Sequence, residues 1–231
     1  MNYLAIDTSR ESLTVAAGNV TTKNAAGGDV AGCEVLSGTT KVVRFLPDCA
    51  LTHSVVLMDE IEKCLAEAGV DKKEVDVFAC AVGPGSFTGI RIGVATVKAL
   101  AYALGKKALG VTSFDSLAYN VSDGRKKLAV IDARHGNFYA GGYAADDIDG
   151  ADGRIDLSPR FIDTAALCGL AREYEIISDE KIGNPDGFSY RVADVEDGFI
   201  KAVEANLGKA SENVETLVPL YVKKSQAEEE E

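Results

Sequence analysis

The sequence is poorest in the residues on which metal and hydrolytic chemistry most often rests. It has no tryptophan and only two histidines, His53 and His135, far apart in the chain. Neither belongs to an HExxH or HxxxH pair, so the usual spacing of a zinc or iron site is absent and no metal is expected. Five prolines among 231 residues, with no glycine repeat, exclude a collagen-like chain. The five cysteines are odd in number and never form CxxC, which excludes a disulfide framework and points to a reducing, cytoplasmic compartment. Cys64 and Cys80 sit inside apolar patterns, where a free thiol behaves as a small hydrophobe. Positive charge is also short: 24 Lys and Arg stand against 36 Asp and Glu, a net charge of −12. Residues 1–115 carry −2 of it and residues 116–231 carry −10, which argues against unaided binding to nucleic acid. The longest apolar run, Gly89–Leu104, contains Arg91 and Lys98 and falls short of the roughly 20 residues a membrane-spanning helix needs. No basic region precedes the first apolar stretch, which Asp7 interrupts, so neither a signal peptide nor a membrane contact is expected.

What is present is the composition of a globular α/β protein, 46% hydrophobic and 26% charged, long enough for one large domain or two small ones. Tyr3–Ile6 reads as a buried strand ending at Asp7, and Ser12–Ala17 as a second strand after a polar turn. Asn19–Thr40, rich in Gly, Thr and Ala, reads as a wide loop or hairpin tip, and Lys41–Leu46 as a third strand. From His53 to Ala68 the period becomes helical, with Leu57, Ile61, Leu65 and Ala68 on one face and Gly69 as the stop. Val75–Val82 is a continuous apolar strand, as expected where both sheet faces are covered. The tight turn Gly83–Gly89 then leads into a helix over Ile90–Leu104, a strand at Ala108–Val111 and a short helix at Ser113–Asn120. In the second half, Asp146–Ser158 reads as an acidic loop, Ile162–Leu170 as a short helix and Glu175–Ser178 as a strand. Gly198–Leu207 reads as an amphipathic helix, Val218–Val222 as a last strand, and Glu228–Glu231 as a solvated tail.

The chain repeats itself. Leu128–Asp132 ends a strand in aspartate, as Leu4–Asp7 does, and each is followed by a four-residue polar turn and a second strand. The offset is 125 residues, Asp7 to Asp132. Two lobes of one mixed α/β design, facing each other across a cleft, account for this pattern; two coincidental hairpins are the alternative. The lobes are expected over residues 1–110 and 111–231, with the C-terminal segment free to return to the first.

Paired Asp-ended hairpins are how the actin, Hsp70 and sugar-kinase fold holds a nucleotide. Asp7, Thr8 and Ser9 are therefore candidate phosphate contacts, whereas the second turn, Ala133–Gly136, has no Ser or Thr and holds bulky Arg134 and His135. A surviving scaffold without its catalyst is the favoured reading. Gly85, Ser86 and Thr88 are further candidates, since a glycine-rich turn before a helix presents amides to anions. The turn is not a Walker loop, because Gly-Lys-Ser/Thr is missing; a close strand-to-helix packing turn explains the same glycines equally well. The helix over Ile90–Leu104 is apolar nearly all round and needs cover on two sides. With Gly93, Val97, Leu100 and Leu104 assigned to its own sheet, Arg91, Ala95, Lys98 and Tyr102 form an outward stripe. Together with Leu57 and Ile61 of the preceding helix, that stripe is the candidate partner surface.

Leu4–Ser9, His53-Ser54, Ala81–Gly93 and Ile131–Arg134 together resemble the TsaB (YeaZ-like) family. The likeness covers about residues 1–143 and is most specific at Gly83–Gly93; Pro219-Leu220-Tyr221 is similar to that family's C-terminal end. Thr52 stands where the family usually has a basic residue, and Asn19–Thr40 is longer than usual. The resemblance implies a two-lobed actin/Hsp70/sugar-kinase-like, duplicated ribonuclease H-like fold. It also implies a role in making threonylcarbamoyladenosine next to the tRNA anticodon, as a noncatalytic partner of the TsaD transferase, with the TsaE ATPase joining them. TsaD carries a metal-binding histidine pair after the corresponding helix; here Val111–Leu117 has none. The resemblance further implies no tightly bound cofactor, ATP or ADP only in the complex, tRNA reached indirectly, and a homodimer when the partner is absent. An active small-molecule kinase or ATPase of the same fold is the competing reading. A metal-dependent peptidase is the third.

Overall fold

The computed structural model describes residues 1–24, 33–49, 51–121, 124–145, 155–183 and 187–222. The first lobe holds β1 (Asn2–Asp7), β2 (Leu13–Asn24), β3 (Cys33–Leu46), α1 (His53–Ala68), β4 (Val77–Ala81), α2 (Phe87–Leu104) and β5 (Lys107–Val111). After α3 (Ser113–Ala118) come β6 (Lys127–Asp132), β7 (Asn137–Tyr143), β8 (Ile155–Asp163), α4 (Thr164–Leu170), β9 (Glu175–Ser178), β10 (Tyr190–Val192) and α5 (Val195–Asn206). The first sheet runs β3-β2-β1-β4-β5 and the second β8-β7-β6-β9-β10. Strand directions match as well: the hairpin pairs are antiparallel, and β1 with β4 and β5, like β6 with β9 and β10, run parallel. Shared order and direction make the repeat a true duplication of one α/β unit, with α1 and α4, and α3 and α5, at equivalent places in the two halves.

The halves differ at one crossover. Between β4 and β5 the chain makes the 18-residue α2. Between β9 and β10 it has only residues 179–189, and those described are not helical. A helix of α2's length, at about 1.5 Å per residue, does not fit in so short a connection. The first lobe therefore has a large helical face that the second lacks.

α3 and α5 pack against each other between the sheets. Their Phe114, Leu117, Phe199 and Val203 join Ala5 and Ala79 of the first sheet with Ala129 and Ile177 of the second in one core. The crossing is close because Gly198 has no side chain: a Cβ there would lie 1.9 Å from the Ser116 carbonyl oxygen. Thr112 and Asp115 form a capping box at the start of α3, and Asn120 exchanges hydrogen bonds with the backbone of Asp194 before α5.

Several elements depart from the sequence-based expectation. β2 and β3 run through Asn24 and from Cys33, so much of the expected Asn19–Thr40 loop is hairpin; its tip lies outside the described residues. β8 occupies the end of the expected Asp146–Ser158 loop and the start of the expected Ile162–Leu170 helix. Residues 146–154 and the acidic tail lie outside the described residues. Val218–Val222 is not a strand; the Leu220 N–H makes a single bond to the Val82 carbonyl. The C-terminal stretch lies against the first lobe, as the sequence left open: Ser211 bridges Ala108, and Val214 and Leu217 enter that lobe's core.

Candidate functional site

The two glycine- and hydroxyl-rich segments expected to contact phosphate bind each other. Asp7 is buried at the end of β1, and its Oδ1 accepts the Ser9 N–H at 2.7 Å and the Ser9 hydroxyl at 2.6 Å. The fully buried Thr8 donates its hydroxyl to the Gly89 carbonyl at 2.8 Å. Ser86 donates its N–H to the Ser9 carbonyl at 2.7 Å and caps α2 by accepting the Gly89 N–H. Three glycines admit this contact. A Cβ on Gly85 would lie 2.3 Å from the Ser9 carbonyl oxygen, one on Gly89 1.9 Å from that of Thr8, and one on Gly93 2.6 Å from the Thr8 hydroxyl. Close packing is thus the role these glycines perform. Of the residues expected at phosphate, Thr8 and Ser9 are enclosed and Asp7 nearly so, while Gly85, Ser86 and Thr88 are exposed.

The second turn copies the first. Asp132 Oδ1 accepts the Arg134 N–H at 2.7 Å, the same two-residue reach as Asp7 to Ser9. Arg134, His135 and Gly136 all have positive φ, 69°, 57° and 73°. Between the turns lies a cleft of about 510 Å³, lined among others by Ser9–Ser12, Asp48, Pro84–Ser86, Asp132, Arg134, Asp179 and Glu180. An ion pair of 2.5 Å from Arg10 Nη1 to Asp179 Oδ2 crosses it from lobe to lobe, and Arg134 sits 3.7 Å from Glu180. Five carboxylates against two guanidiniums make a poor setting for a polyphosphate.

No histidine or cysteine is among the described residues that line the cleft. His53 is buried with neither ring nitrogen hydrogen-bonded, as a packing residue at the start of α1. Burial pushes the Cys64 thiol up to about 11 and, with Asp7 nearby, holds that of Cys80 higher still, so neither is a thiolate at neutral pH. Among the described residues no three His, Cys, Asp or Glu side chains assemble into a metal site.

The partner surface needs two corrections. Leu57 and Ile61 are 2% and 3% exposed and belong to the first lobe's own core, because their face of α1 lies on the sheet. The exposed apolar residues of α1 and the turn before it are Leu51, Val55 and Met58, at 97%, 76% and 47%. Their spacing, i, i+4 and i+7, was visible in the sequence as a second stripe. On α2, Ala95, Ala99 and Tyr102 are exposed, Tyr102 to 80%. Arg91 and Lys98 are tethered instead. The Arg91 guanidinium lies 3.7 Å from the Phe87 ring centre and donates to the Tyr221 hydroxyl at 2.9 Å, while Lys98 pairs with Glu215 at 3.2 Å. The C-terminal stretch is thus pinned along α2, a link that sequence spacing did not reveal. By length and composition α2 passes for a membrane span, yet Gly89, Ile90, Gly93, Val94, Val97 and Ala101 are buried in the fold.

Residues 45–193 match the model of the family described as TsaD, tRNA N6-adenosine threonylcarbamoyltransferase. The chain belongs to that family, as a TsaB- and YeaZ-like member. It is 30% identical over 144 residues to the Bacillus subtilis tRNA threonylcarbamoyladenosine biosynthesis protein TsaB, covering 62% of this chain and 55% of that protein. The TsaB of Escherichia coli is 29% identical over 150 residues, 64% of this chain and 57% of that one. The matches thus span a little over half the length of these relatives. YeaZ from Pseudomonas aeruginosa superposes with a TM-score of 0.64 at 24% identity, over 95% of this chain and 99% of that one. A second Pseudomonas aeruginosa structure, titled as similar to the peptidase YeaZ, gives 0.67 at 24% identity, over 96% and 99%. The two-lobed, duplicated α/β fold is thereby shared along nearly the whole chain.

Proposed function

We propose that this chain is a noncatalytic subunit in threonylcarbamoyladenosine synthesis on tRNA, docking on a paralogous TsaD transferase through the outer faces of α1 and α2. The observation that carries this reading is the solvent-facing apolar surface of Leu51, Val55, Met58, Ala95, Ala99 and Tyr102 on α1 and α2, the latter without a counterpart in the second lobe. A monomer gains nothing by exposing such a set, and contiguous apolar patches mark docking sites. The names of the curated relatives place them in threonylcarbamoyladenosine biosynthesis, which supports the pathway. The same surface is suited to a homodimer when the partner is absent. TsaE is the further partner, ATP or ADP enters only with the complex, and the setting is the cytoplasm. A tagged chain drawn from native lysate is expected to bring TsaD with it; repeated purification without TsaD would overturn the docking.

Catalytic silence follows from the self-satisfied Thr8 and Ser9 turn. Purified chain is expected to hydrolyse ATP no faster than buffer alone. Steady turnover abolished by Asp7→Ala would instead establish the kinase or ATPase reading. A net charge of −12 leaves few phosphates neutralised, so the chain alone is expected to bind tRNA weakly at physiological salt. Submicromolar retention in a filter assay would contradict this.

A further inference from the structure

The outward face of α2 holds one guanidinium that no carboxylate of the described residues neutralises. Phe87, Arg91, Ala95, Ala99 and Tyr102 follow one another at steps of three and four residues, so they share that face, and all five are exposed. The helix has two cations, Arg91 and Lys98, and neither Asp nor Glu. Lys98 is paired within the chain, 3.2 Å from Glu215 of the C-terminal stretch. Arg91 has only neutral partners. Its Cζ lies 3.7 Å from the Phe87 ring centre and 5.9 Å from that of Tyr221, and its Nε donates to the Tyr221 hydroxyl at 2.9 Å. The two rings stand 5.3 Å apart, centre to centre. These contacts use one face of the guanidinium and Nε. The terminal nitrogens, Nη1 and Nη2, bond to nothing among the described residues.

An exposed arginine normally gives up rotamer freedom when it binds. Here the stack on Phe87 and the bond to Tyr221 have already fixed the side chain, and the two free nitrogens form the fork that grips a carboxylate bidentately. No acidic residue stands in the first turn of α2, so the positive end of the helix dipole adds to the guanidinium. Arg91 lies one turn before Ala95, inside the surface proposed to dock. A partner seated there covers the guanidinium, and a covered cation without an anion is strongly unfavourable. The partner must therefore bring a negative group. A second copy pairing α2 on α2 would bring two cations and no acid. On α1, Asp59, Glu60 and Glu67 are held by Lys63 and Arg44, which leaves Glu62 as that helix's one acid without an ion pair among the described residues. Nor is RNA favoured, since the guanidinium covers the Phe87 face on which a base would stack and the chain carries −12.

We infer that Arg91 is the specificity-determining cation of the docking surface, presented by Phe87 and Tyr221 to a carboxylate of the partner transferase. This rests on the docking reading and adds to it the chemistry the partner must offer. Phe87 and Tyr221 act as positioning residues, and Tyr221 brings the C-terminal stretch into the contact. The apolar stripe supplies area that any apolar helix can match; the oriented guanidinium accepts only a partner with an acid in register.

The test is calorimetric titration of the full chain with TsaD of the same organism, beside melting curves and sedimentation of the chain alone. Arg91→Met, which keeps the length and removes the charge, is expected to weaken TsaD binding by roughly thirtyfold or more. Arg91→Lys, which keeps the charge and loses the fork, is expected to cost about tenfold, and Tyr221→Phe, which keeps the stack and frees Nε, roughly threefold. All three are expected to melt within about 2 °C of the wild type, because these side chains are exposed. Wild-type affinity is expected to fall as salt rises from about 50 to about 500 mM, and that of Arg91→Met to fall less. Wild-type affinity in a folded Arg91→Met chain, or an unchanged salt dependence, would overturn the inference. So would an Arg91→Met effect that disappears when the chain is ended at Val222, which assigns the anion to the acidic tail. Loss of self-association in Arg91→Met and in Glu62→Gln, with TsaD bound as before, would assign it to a second copy and overturn the inference as well. These results leave the docking reading standing if Ala95→Arg still abolishes the complex; a wild-type chain that does not bind TsaD removes both.

Discussion

Replacing Gly89 with alanine is expected to destabilise the protein by at least about 3 kcal/mol, the upper range for overpacking a rigid site. For a chain of this size that lowers the melting temperature by about 6–12 °C. Helix propensity points the other way, since alanine is favoured over glycine by about 1 kcal/mol inside a helix. The contact decides the sign. The new Cβ would sit 1.9 Å from the Thr8 carbonyl oxygen, and that oxygen belongs to the short turn joining β1 to β2. Neither side can yield cheaply. The Gly89 carbonyl accepts the Thr8 hydroxyl and the Ser86 N–H at the helix N-cap is held by the Ser9 carbonyl, so moving α2 away breaks both bonds. Gly169 in α4, with nothing within 4 Å of its added Cβ, provides the contrast. There alanine is expected to be neutral or to stabilise by up to about 1 kcal/mol. Calorimetric melting of both variants checks the pair. A Gly89→Ala chain melting with the wild type would show that α2 is not seated on the Asp7 turn.

The same contact explains why the site was only half legible in the sequence. Gly83–Gly89 fits an anion cradle and a packing turn equally well, because both need backbone free of side chains. The choice depends on what approaches the glycines, here the Thr8 and Ser9 carbonyls more than 70 residues earlier in the chain, and no local pattern carries that. The duplication was legible because Asp7 and Asp132 each end an apolar strand and begin a polar turn, which are local features. The edge strands were not. β10 is three residues long, with Arg191 and Val192 exposed, so it has neither an apolar run nor an alternating pattern to mark it. β8 opens with Ile155 and Asp156 both exposed and carries Pro159, which is tolerated only because the strand lies at the sheet edge. On α1, one apolar face was read where there are two. Leu57 and Ile61 satisfy the sheet, and Leu51, Val55 and Met58 are left over. A helix needs one apolar stripe to join its own core, and a second stripe points to something outside it.

Ala95→Arg tests the outward face of α2 as part of the same docking surface. Ala95 is exposed on α2 and shares its outward face with Ala99 and Tyr102, one turn and two turns further on. Small side chains at positions 95 and 99 let the backbone of an opposing helix come close, while Tyr102 and the Leu51–Val55–Met58 stripe supply apolar area around it. An arginine placed there forces the helices apart or buries an unpaired charge, and either costs several kcal/mol at a packed contact. Association with TsaD is therefore expected to weaken about a thousandfold, which corresponds to about 4 kcal/mol. The isolated chain is expected to melt within the range of an ordinary surface change, about ±0.5 kcal/mol, because Ala95 touches solvent rather than the core. Binding calorimetry beside a melting curve separates the two effects. If homodimerisation uses the same surface, the variant is also expected to sediment as a monomer at concentrations where the wild type pairs, since one substitution enters a two-fold contact twice. Full affinity for TsaD in a well-folded Ala95→Arg chain would remove α2 from the interface and with it the proposed mode of docking.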